Sequence, residues 1–242
     1  MVQLPGPLSR ILDNFSRIPY ENLSKAVKYN AMGVAENARR LPHEVLAGYK
    51  AKGTGGTCFS LTWLLHNTLE ASGYSSYIVL CDRAYGVNTH CAAVLQLEEK
   101  KYLLDPGYLS FTPIELSGEK PTVVETPFNS ISVHQDDTAR YALFTEHCGQ
   151  KKRRFTIKDE PIAERDFIAY WDASFALETL SYPVVTMLKG AKHLYLQKKN
   201  LYIRDRGGSE TIALSEKNFP ETVNAYFGID TQIAAQARDL FF

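Results

Sequence analysis

The feature that most constrains the fold is a change of hydrophobic period near residue 75. Before it, apolar residues recur at helix spacing, most clearly in EVLAGYKAK (44–52) and CFSLTWLLHNTLEASG (58–73). After it, from 77 to 215, apolar and polar residues alternate as they do in strands. The alternating segments are YIVLC, HCAAVLQL, KYLLD, ARYALFTEH, RRFTIK, HLYLQ and NLYIRD. Helices followed by antiparallel strands predict an α+β chain.

Two further stretches refine this order. Helix spacing returns after residue 215, in SEKNFPETVNAYFG and DTQIAAQARDL. Within the strand region, IAERDFIAYWDASFAL (162–177) is compatible with a helix that crosses the sheet. We therefore expect a helical start, a strand-rich middle and a small mixed end.

Charge and composition exclude several function classes. Lys and Arg total 27 and Asp and Glu total 27, so no global field attracts nucleic acid or an anionic membrane. The N-terminus lacks the apolar core of a signal peptide, and no window is long and apolar enough to span a membrane. We expect a cytoplasmic protein with no nucleic-acid or membrane partner.

The four cysteines do not form a recognisable framework. Cys58, Cys81, Cys91 and Cys148 are too few and too scattered for structural disulfides in a chain of this size. No Cys-x-x-Cys pair is present, so we expect no metal site.

Cys58 is the candidate nucleophile. It stands in GTGGTCFSLT (53–62), where a helix is predicted to begin, and a helix N-terminus favours the reactive thiolate. Gly55 and Gly56 would leave room for an incoming acyl group. The competing interpretation is that Cys58 is an ordinary buried cysteine.

A thiolate nucleophile needs a base and an orienting group. His90 begins one alternating strand, and Asp105 ends the next. With a hairpin turn centred on Glu99 and Lys100, paired positions sum to about 199, so His90 lies opposite residue 109, with Asp105 four positions away. A bulge or a longer turn would narrow that gap, so the spacing permits the contact. Either residue alone is more often a surface or turn residue, and only the ordered set of Cys, His and Asp points to catalysis.

These residues resemble the arylamine N-acetyltransferases, a family with a papain-like fold. The resemblance covers most of the chain in order and is carried by IPYENLS (18–24), TGGTCF (54–59), THCAAVLQL (89–97) and LLDPGYLSFTPI (103–114). Weaker similarity runs through residues 165–185 and 200–214.

The resemblance implies a three-part architecture. Residues 1–75 would form an N-terminal helical bundle that carries Cys58, residues 76–185 a β-barrel that carries His90 and Asp105, and residues 186–242 a C-terminal α/β lid. The reaction implied is a ping-pong transfer of acetyl from acetyl-CoA, through a Cys58 thioester, to an arylamine, arylhydrazine or N-hydroxyarylamine. Tyr108 and Phe111 are then candidate linings of the acceptor pocket, although both are equally compatible with an ordinary aromatic core.

The chain departs from the family pattern around the nucleophile. Thr54 stands where the family has arginine, Thr57 where it has an aromatic residue, and Ser60 where it usually has glutamate. Without the arginine, Glu21 needs another donor or water if it is buried. The basic segments 150–155 and 197–200 can meet CoA phosphates, or be solvated turns.

Three other functions fit the same residues. An amide synthase could close a macrolactam from a carrier-bound polyketide chain, and a thiol hydrolase or transglutaminase-like enzyme could pass the acyl group to water or another amine. A catalytically silent interaction module is disfavoured because all three triad positions are filled. Slow reaction of Cys58 with iodoacetamide would contradict every enzymatic version.

Overall fold

A computed structural model describes residues 4–118, 120–177 and 181–242. Its helices are α1 (Gly6–Phe15), α2 (Leu23–Met32), α3 (Ala35–Ala38), α4 (Pro42–Lys52), α5 (Cys58–Ala71), α6 (Glu164–Ala173), α7 (Phe219–Phe227) and α8 (Thr231–Phe241). Short 3₁₀ turns occupy Pro106–Tyr108 and Ser174–Ala176. Residues 178–180, within one of the weaker segments of resemblance, lie outside the described residues.

The strands form two antiparallel sheets. The larger has the order β5 (Ser110–Glu115), β4 (Lys100–Asp105), β3 (Gly86–Leu97), β2 (Ser76–Arg83), β9 (Gln150–Lys158), β8 (Arg140–His147), β7 (Ser130–Asp137) and β6 (Thr122–Glu125). Its edge strands β5 and β6 contact each other, so the sheet is a nearly closed barrel. The smaller has the order β1 (Tyr20–Glu21), β10 (Val184–Lys189), β11 (Lys192–Gln197), β12 (Asn200–Asp205) and β13 (Gly208–Ala213).

Strand β3 joins the helices to the barrel. Its residues from Thr89 to Leu95 are all buried, because each face of the strand is covered by a different partner. Ala92 and Val94 point into the barrel core, whereas Ala93 and Leu95 pack against α1 and α5. The first two turns of α5 are buried on nearly every side for the same reason, since the helix lies between the other helices and the sheet.

The C-terminal helices cover the smaller sheet. Val185, Leu194 and Leu201 on the sheet pack against Phe219 and Val223 of α7. Because β1 belongs to this sheet, the helical N-terminal segment and the C-terminal segment are tied together by strand pairing, Tyr20 to Thr186 and Glu21 to Val185. The division at residues 75 and 185 stays a prediction.

The fold class is confirmed: the protein is α+β, with N-terminal helices, an antiparallel barrel and a second sheet. All seven alternating segments are strands, and the ambiguous segment contains helix α6. The hairpin register predicted for β3 and β4 is wrong by two, since Ala93 pairs with Leu104 and Leu97 with Lys100. The turn residues are Glu98 and Glu99, both with positive φ, an arrangement usually made by Asn or Gly.

No helix in the described ranges is long and apolar enough to cross a membrane.

Candidate active site

Cys58 is the first residue of α5, and the loop before it is fixed by backbone packing. Thr57 is the extended residue that precedes the helix. A Cβ on Gly55 would overlap the carbonyl oxygen of Pro19, so the close approach of these two segments requires glycine. The N–H of Glu21 donates to the Gly56 carbonyl at 2.9 Å. Gly55 therefore serves loop packing, rather than the substrate access expected from the sequence.

A buried ion pair supports the same loop. The Arg40 guanidinium lies 3.1 Å from Glu21 Oε1, and the two side chains are 8% and 0% exposed. Arg40 also donates to the Gly55 carbonyl and, at 3.2 Å, to Thr54 Oγ1. Arg40 thus supplies the donor that Glu21 needs while Thr54 occupies the position where related sequences carry arginine.

His90 and Asp105 meet at the end of the β3–β4 hairpin. His90 Nε2 lies 2.7 Å from Asp105 Oδ2, and both side chains are fully buried. The other carboxylate oxygen of Asp105 accepts from the N–H groups of Gly107 and Tyr108, at 2.9 and 3.1 Å. These bonds orient the carboxylate toward the imidazole.

The three predicted residues converge on Gly107. A Cβ added there would lie 2.8 Å from His90 Cε1, 3.2 Å from Asp105 Oδ1 and 3.3 Å from Cys58 Cβ. The structure therefore brings Cys58, His90 and Asp105 around one point, even though they come from a helix and two strands.

The surroundings favour a charged Cys58. A hydrogen bond from Cys91 lowers the pKa of the Cys58 thiol most; burial opposes it, and His90 and Arg83 lower the pKa further, so it lies well below its usual range. Burial and the charge of Arg83 lower the pKa of His90, but the charge and hydrogen bond of Asp105, helped by Cys58, outweigh them and the net pKa is raised. Both directions favour a thiolate beside an imidazolium.

Cys91 has a role that the sequence did not indicate. It is fully buried and belongs to the same apolar cluster as Cys58. Burial and the hydrogen bond to Cys58 raise the pKa of Cys91 well above its usual range, so Cys91 stays a thiol and can donate to the Cys58 sulfur.

We predict that the reaction of Cys58 with iodoacetamide slows only at a pH well below that at which a small free thiol slows, which loses about tenfold per pH unit below about 8.5. The depressed pKa keeps Cys58 ionised until the pH falls through that pKa. Labelling is measured by peptide mass spectrometry in the Cys148→Ser background, because Cys148 is the exposed cysteine. A profile that parallels the free thiol would contradict an activated Cys58.

A cleft of about 940 Å³ opens beside these residues, between the barrel and the smaller sheet. Thr57, Arg83 and Tyr108 line its inner end, and Thr186 and His193 line the side formed by the smaller sheet. Among described residues that line the cleft there is no Asp or Glu, whereas five are cationic: Lys25, Arg83, Lys152, Arg154 and Arg204. The cleft is suited to an anionic ligand.

The two predicted lining residues have different positions. Tyr108 lines the cleft, and its ring centre lies 5.4 Å from that of His90. Phe111 does not line the cleft; it packs in the helical core, 6.2 Å from the ring of Phe15. Its place on β5 turns the side chain toward α1 rather than toward Cys58.

Arg83 is the cleft residue that the sequence analysis missed. Its Nη2 lies 2.9 Å from His90 Nδ1, and its guanidinium lies 5.5 Å from the ring of Tyr108. Because a guanidinium only donates, this contact belongs to the neutral imidazole, which accepts at Nδ1 and carries its proton on Nε2 toward Asp105. In the imidazolium, Nδ1 is also a donor, so that form requires Arg83 to move away from Nδ1. The sequence did contain a sign of this contact: the short β2–β3 turn places the end of β2, with Arg83, beside the start of β3, with His90.

No group of three or more His, Cys, Asp or Glu side chains in the described ranges is arranged to hold a metal ion.

Comparison with known proteins identifies the family. The sequence model described as N-acetyltransferase matches residues 7–236, nearly the whole chain. The chain belongs to the arylamine N-acetyltransferase family. It is therefore an acyltransferase enzyme.

Individual relatives of the family are distant in sequence and close in fold. The uncharacterized acetyltransferase YvcN of Bacillus subtilis (strain 168) is 23% identical over 230 residues, which cover 87% of this chain and 85% of YvcN. The arylamine N-acetyltransferase of Mycobacterium smegmatis superposes with a TM-score of 0.80 at 19% identity, over 98% of this chain and 92% of that one. The Mycobacterium marinum arylamine N-acetyltransferase in complex with CoA gives 0.79 at 18% identity, over 97% and 94%.

Proposed function

We propose that this enzyme transfers an acetyl group from acetyl-CoA, through a thioester on Cys58, to an arylamine, arylhydrazine or N-hydroxyarylamine. The observation that carries the proposal is the meeting of Cys58, His90 and Asp105 around Gly107, which lines a cationic cleft. The complex of the M. marinum arylamine N-acetyltransferase with CoA supports a CoA thioester as the acetyl donor.

In the first half-reaction the Cys58 thiolate attacks the thioester carbonyl of acetyl-CoA. The bond between that carbon and the CoA sulfur breaks, and the departing CoA thiolate takes a proton from the His90 imidazolium. The products are acetyl-Cys58, free CoA and a neutral His90, whose Nε2 proton stays on the Asp105 carboxylate side.

In the second half-reaction the acceptor nitrogen attacks the acetyl-Cys58 carbonyl. His90 removes a proton from that nitrogen, the bond to the Cys58 sulfur breaks, and the thiolate re-forms beside the imidazolium. An aromatic acceptor is supported by Tyr20, Tyr85 and Tyr108, which all line the cleft.

The start of α5 supplies the donors for the oxyanion in both steps. The first backbone N–H groups of a helix have no partner within it, and the helix dipole places positive charge there. Cys58 is the first residue of α5, so its own backbone N–H is one of these free donors. We assign this N–H as a donor to the oxyanion that forms when the carbonyl is attacked.

Two arginines that line the cleft, Arg154 and Arg204, are the candidate ligands of the CoA phosphates. Arg154 is held at 2.6 Å by Thr145 Oγ1, and Arg204 lies 4.9 Å from the ring of Tyr202. Neither has a carboxylate partner among the described residues, so both charges are available to an anion.

We predict that the Arg154→Gln, Arg204→Gln double variant raises the KM for acetyl-CoA about tenfold with little change in kcat, because phosphate binding persists equally through the reaction. Steady-state CoA release measures this. Arg153→Gln is the matched control, since Arg153 is exposed and paired with Asp136 at 2.6 Å outside the cleft. Equal effects of the control and the double variant would contradict the assignment.

The function is tested by acetyl-CoA turnover with an arylhydrazine, following both CoA release and the acetylated product. Release of CoA that requires the arylhydrazine supports the proposed transfer. Equal release without an acceptor indicates a thiol hydrolase, and no release indicates a different donor such as an acyl carrier.

A further inference from the structure

A second cysteine lies against the nucleophile, where α5 packs on strand β3. Cys58 and Cys91 are both buried in one apolar cluster. Thr62 follows Cys58 by one helical turn and therefore lies on the same face of α5. Its hydroxyl donates to the Cys91 carbonyl oxygen at 3.3 Å. The face of α5 that carries Cys58 thus rests directly on β3 at Cys91.

The two sulfur atoms have unlike protonation states. The Cys91 thiol donates a hydrogen bond to the Cys58 sulfur, whose pKa is lowered well below its usual range. Burial and the same bond raise the pKa of Cys91, so a thiolate lies beside a thiol. A thiolate is the form of cysteine that peroxides oxidise to a sulfenic acid, and a neighbouring thiol converts a sulfenic acid to a disulfide.

The surroundings of the pair fix the order of these two steps. Cys58 is 5% exposed, and its neighbours Thr57 and Gly107 line the cleft, whereas Cys91 is 0% exposed. A small oxidant that enters the cleft therefore meets Cys58 first. Cys81 is also fully buried, but its side chain lies in the barrel core and belongs to a different cluster.

We propose that Cys91 is the resolving thiol of Cys58, so that oxidation by a peroxide ends in a Cys58–Cys91 disulfide. The Cys58 thiolate attacks one oxygen of hydrogen peroxide, the O–O bond breaks, and hydroxide leaves with the His90 proton as water. The Cys91 sulfur then attacks the sulfenic sulfur of Cys58. The S–O bond breaks, and the hydroxyl group leaves with the Cys91 proton as a second water.

The disulfide would stop acyl transfer without destroying the enzyme. It removes the nucleophile, and it also keeps Cys58 from oxidation to sulfinic acid, which thiols do not reverse. An external dithiol reduces the disulfide and returns both sulfurs to their starting state. The inference rests on the Cys58 nucleophile of the proposed function and makes no use of the acetyl donor.

The test treats the reduced enzyme with a small excess of hydrogen peroxide. The Cys148→Ser background removes the exposed thiol. Intact mass and peptide mapping without reduction follow the remaining cysteines, and CoA release from acetyl-CoA with an arylhydrazine follows activity. We expect a mass lower by two hydrogen atoms, a cross-linked peptide that contains Cys58 and Cys91, and a loss of activity that dithiothreitol reverses.

Two buried cysteines provide the variant and its matched control. Cys91→Ala is expected to gain two or three oxygen atoms on Cys58, and the activity that dithiothreitol restores should fall at least about tenfold. Cys81→Ala should keep both the cross-link and the recovery. Each variant is compared with its own untreated activity, because Cys91→Ala also removes the hydrogen bond to Cys58.

Two results would overturn the inference. One is oxygen added to Cys58 while Cys91 stays a free thiol, in the enzyme that carries both cysteines. The other is a cross-link that Cys81→Ala abolishes and Cys91→Ala retains. A Cys58 thioester from acetyl-CoA in an enzyme that forms no such cross-link leaves the proposed function standing and rejects the inference. A cross-link in an enzyme that forms no thioester does the reverse.

Discussion

The Cys58→Ala variant is expected to release CoA from acetyl-CoA no faster than the uncatalysed reaction, a loss on the order of 10⁶-fold, because the thiol at the start of α5 is removed. Asp105→Asn and His90→Gln are expected to lose about 10³- to 10⁴-fold, since each removes the charge or the proton transfer that the 2.7 Å bond between them provides. Steady-state CoA release with an arylhydrazine measures all three.

The triad series has internal checks. Cys148→Ser, at the exposed cysteine, is expected to keep wild-type rates. The double variant Cys58→Ala, Asp105→Asn should be no slower than Cys58→Ala alone, because residues that act as a unit are not additive. Wild-type-like activity in Cys58→Ala, His90→Gln or Asp105→Asn would contradict the assigned roles.

The Arg40→Met variant is expected to lower the free energy of unfolding by about 3–5 kcal/mol, because it leaves the fully buried Glu21 carboxylate without its cation. Glu21→Gln is expected to destabilise as well, and the double variant Arg40→Met, Glu21→Gln should cost less than the sum of the two. Urea unfolding followed by circular dichroism measures each free energy.

The control for Arg40 is another arginine in an exposed ion pair. Arg153→Met breaks the pair with Asp136, whose side chains are 52% and 36% exposed, and should cost under about 1 kcal/mol. If Arg40→Met costs no more than Arg153→Met, or if the effects of Arg40→Met and Glu21→Gln add fully, the buried pair does not support the loop before Cys58.

Much of the fold was predictable because its periodicity is strong. The helix from Cys58 and the strands from Tyr77 and His90 are long, buried elements whose apolar spacing is unambiguous. Strand β1 was not predictable: Tyr20–Glu21 has only two residues and exists because β10 pairs with it from far along the chain. The predicted β3–β4 register was wrong because Glu98 and Glu99 form the turn with positive φ, a conformation that glutamate rarely adopts.

The residues of the site also fall into those that the sequence could predict and those that it could not. Cys58, His90 and Asp105 could be named because a nucleophile, a base and a carboxylate must follow a fixed chemical logic. The role of Arg40 could not be predicted. It depends on contacts with Glu21 and the Gly55 carbonyl, which lie in separate segments that meet only in the folded protein. Phe111 was misplaced because strand alternation gives two faces, and the turn before β5 decides which one meets the cleft.

The most direct test of the central claim is the intact mass of the protein mixed with acetyl-CoA in the absence of an acceptor, followed by peptide mapping. We predict a gain of one acetyl group, located on Cys58 and removed when an arylhydrazine is added. An unmodified Cys58 in a protein that still releases CoA, or an acetyl group on another residue, would contradict transfer through a Cys58 thioester.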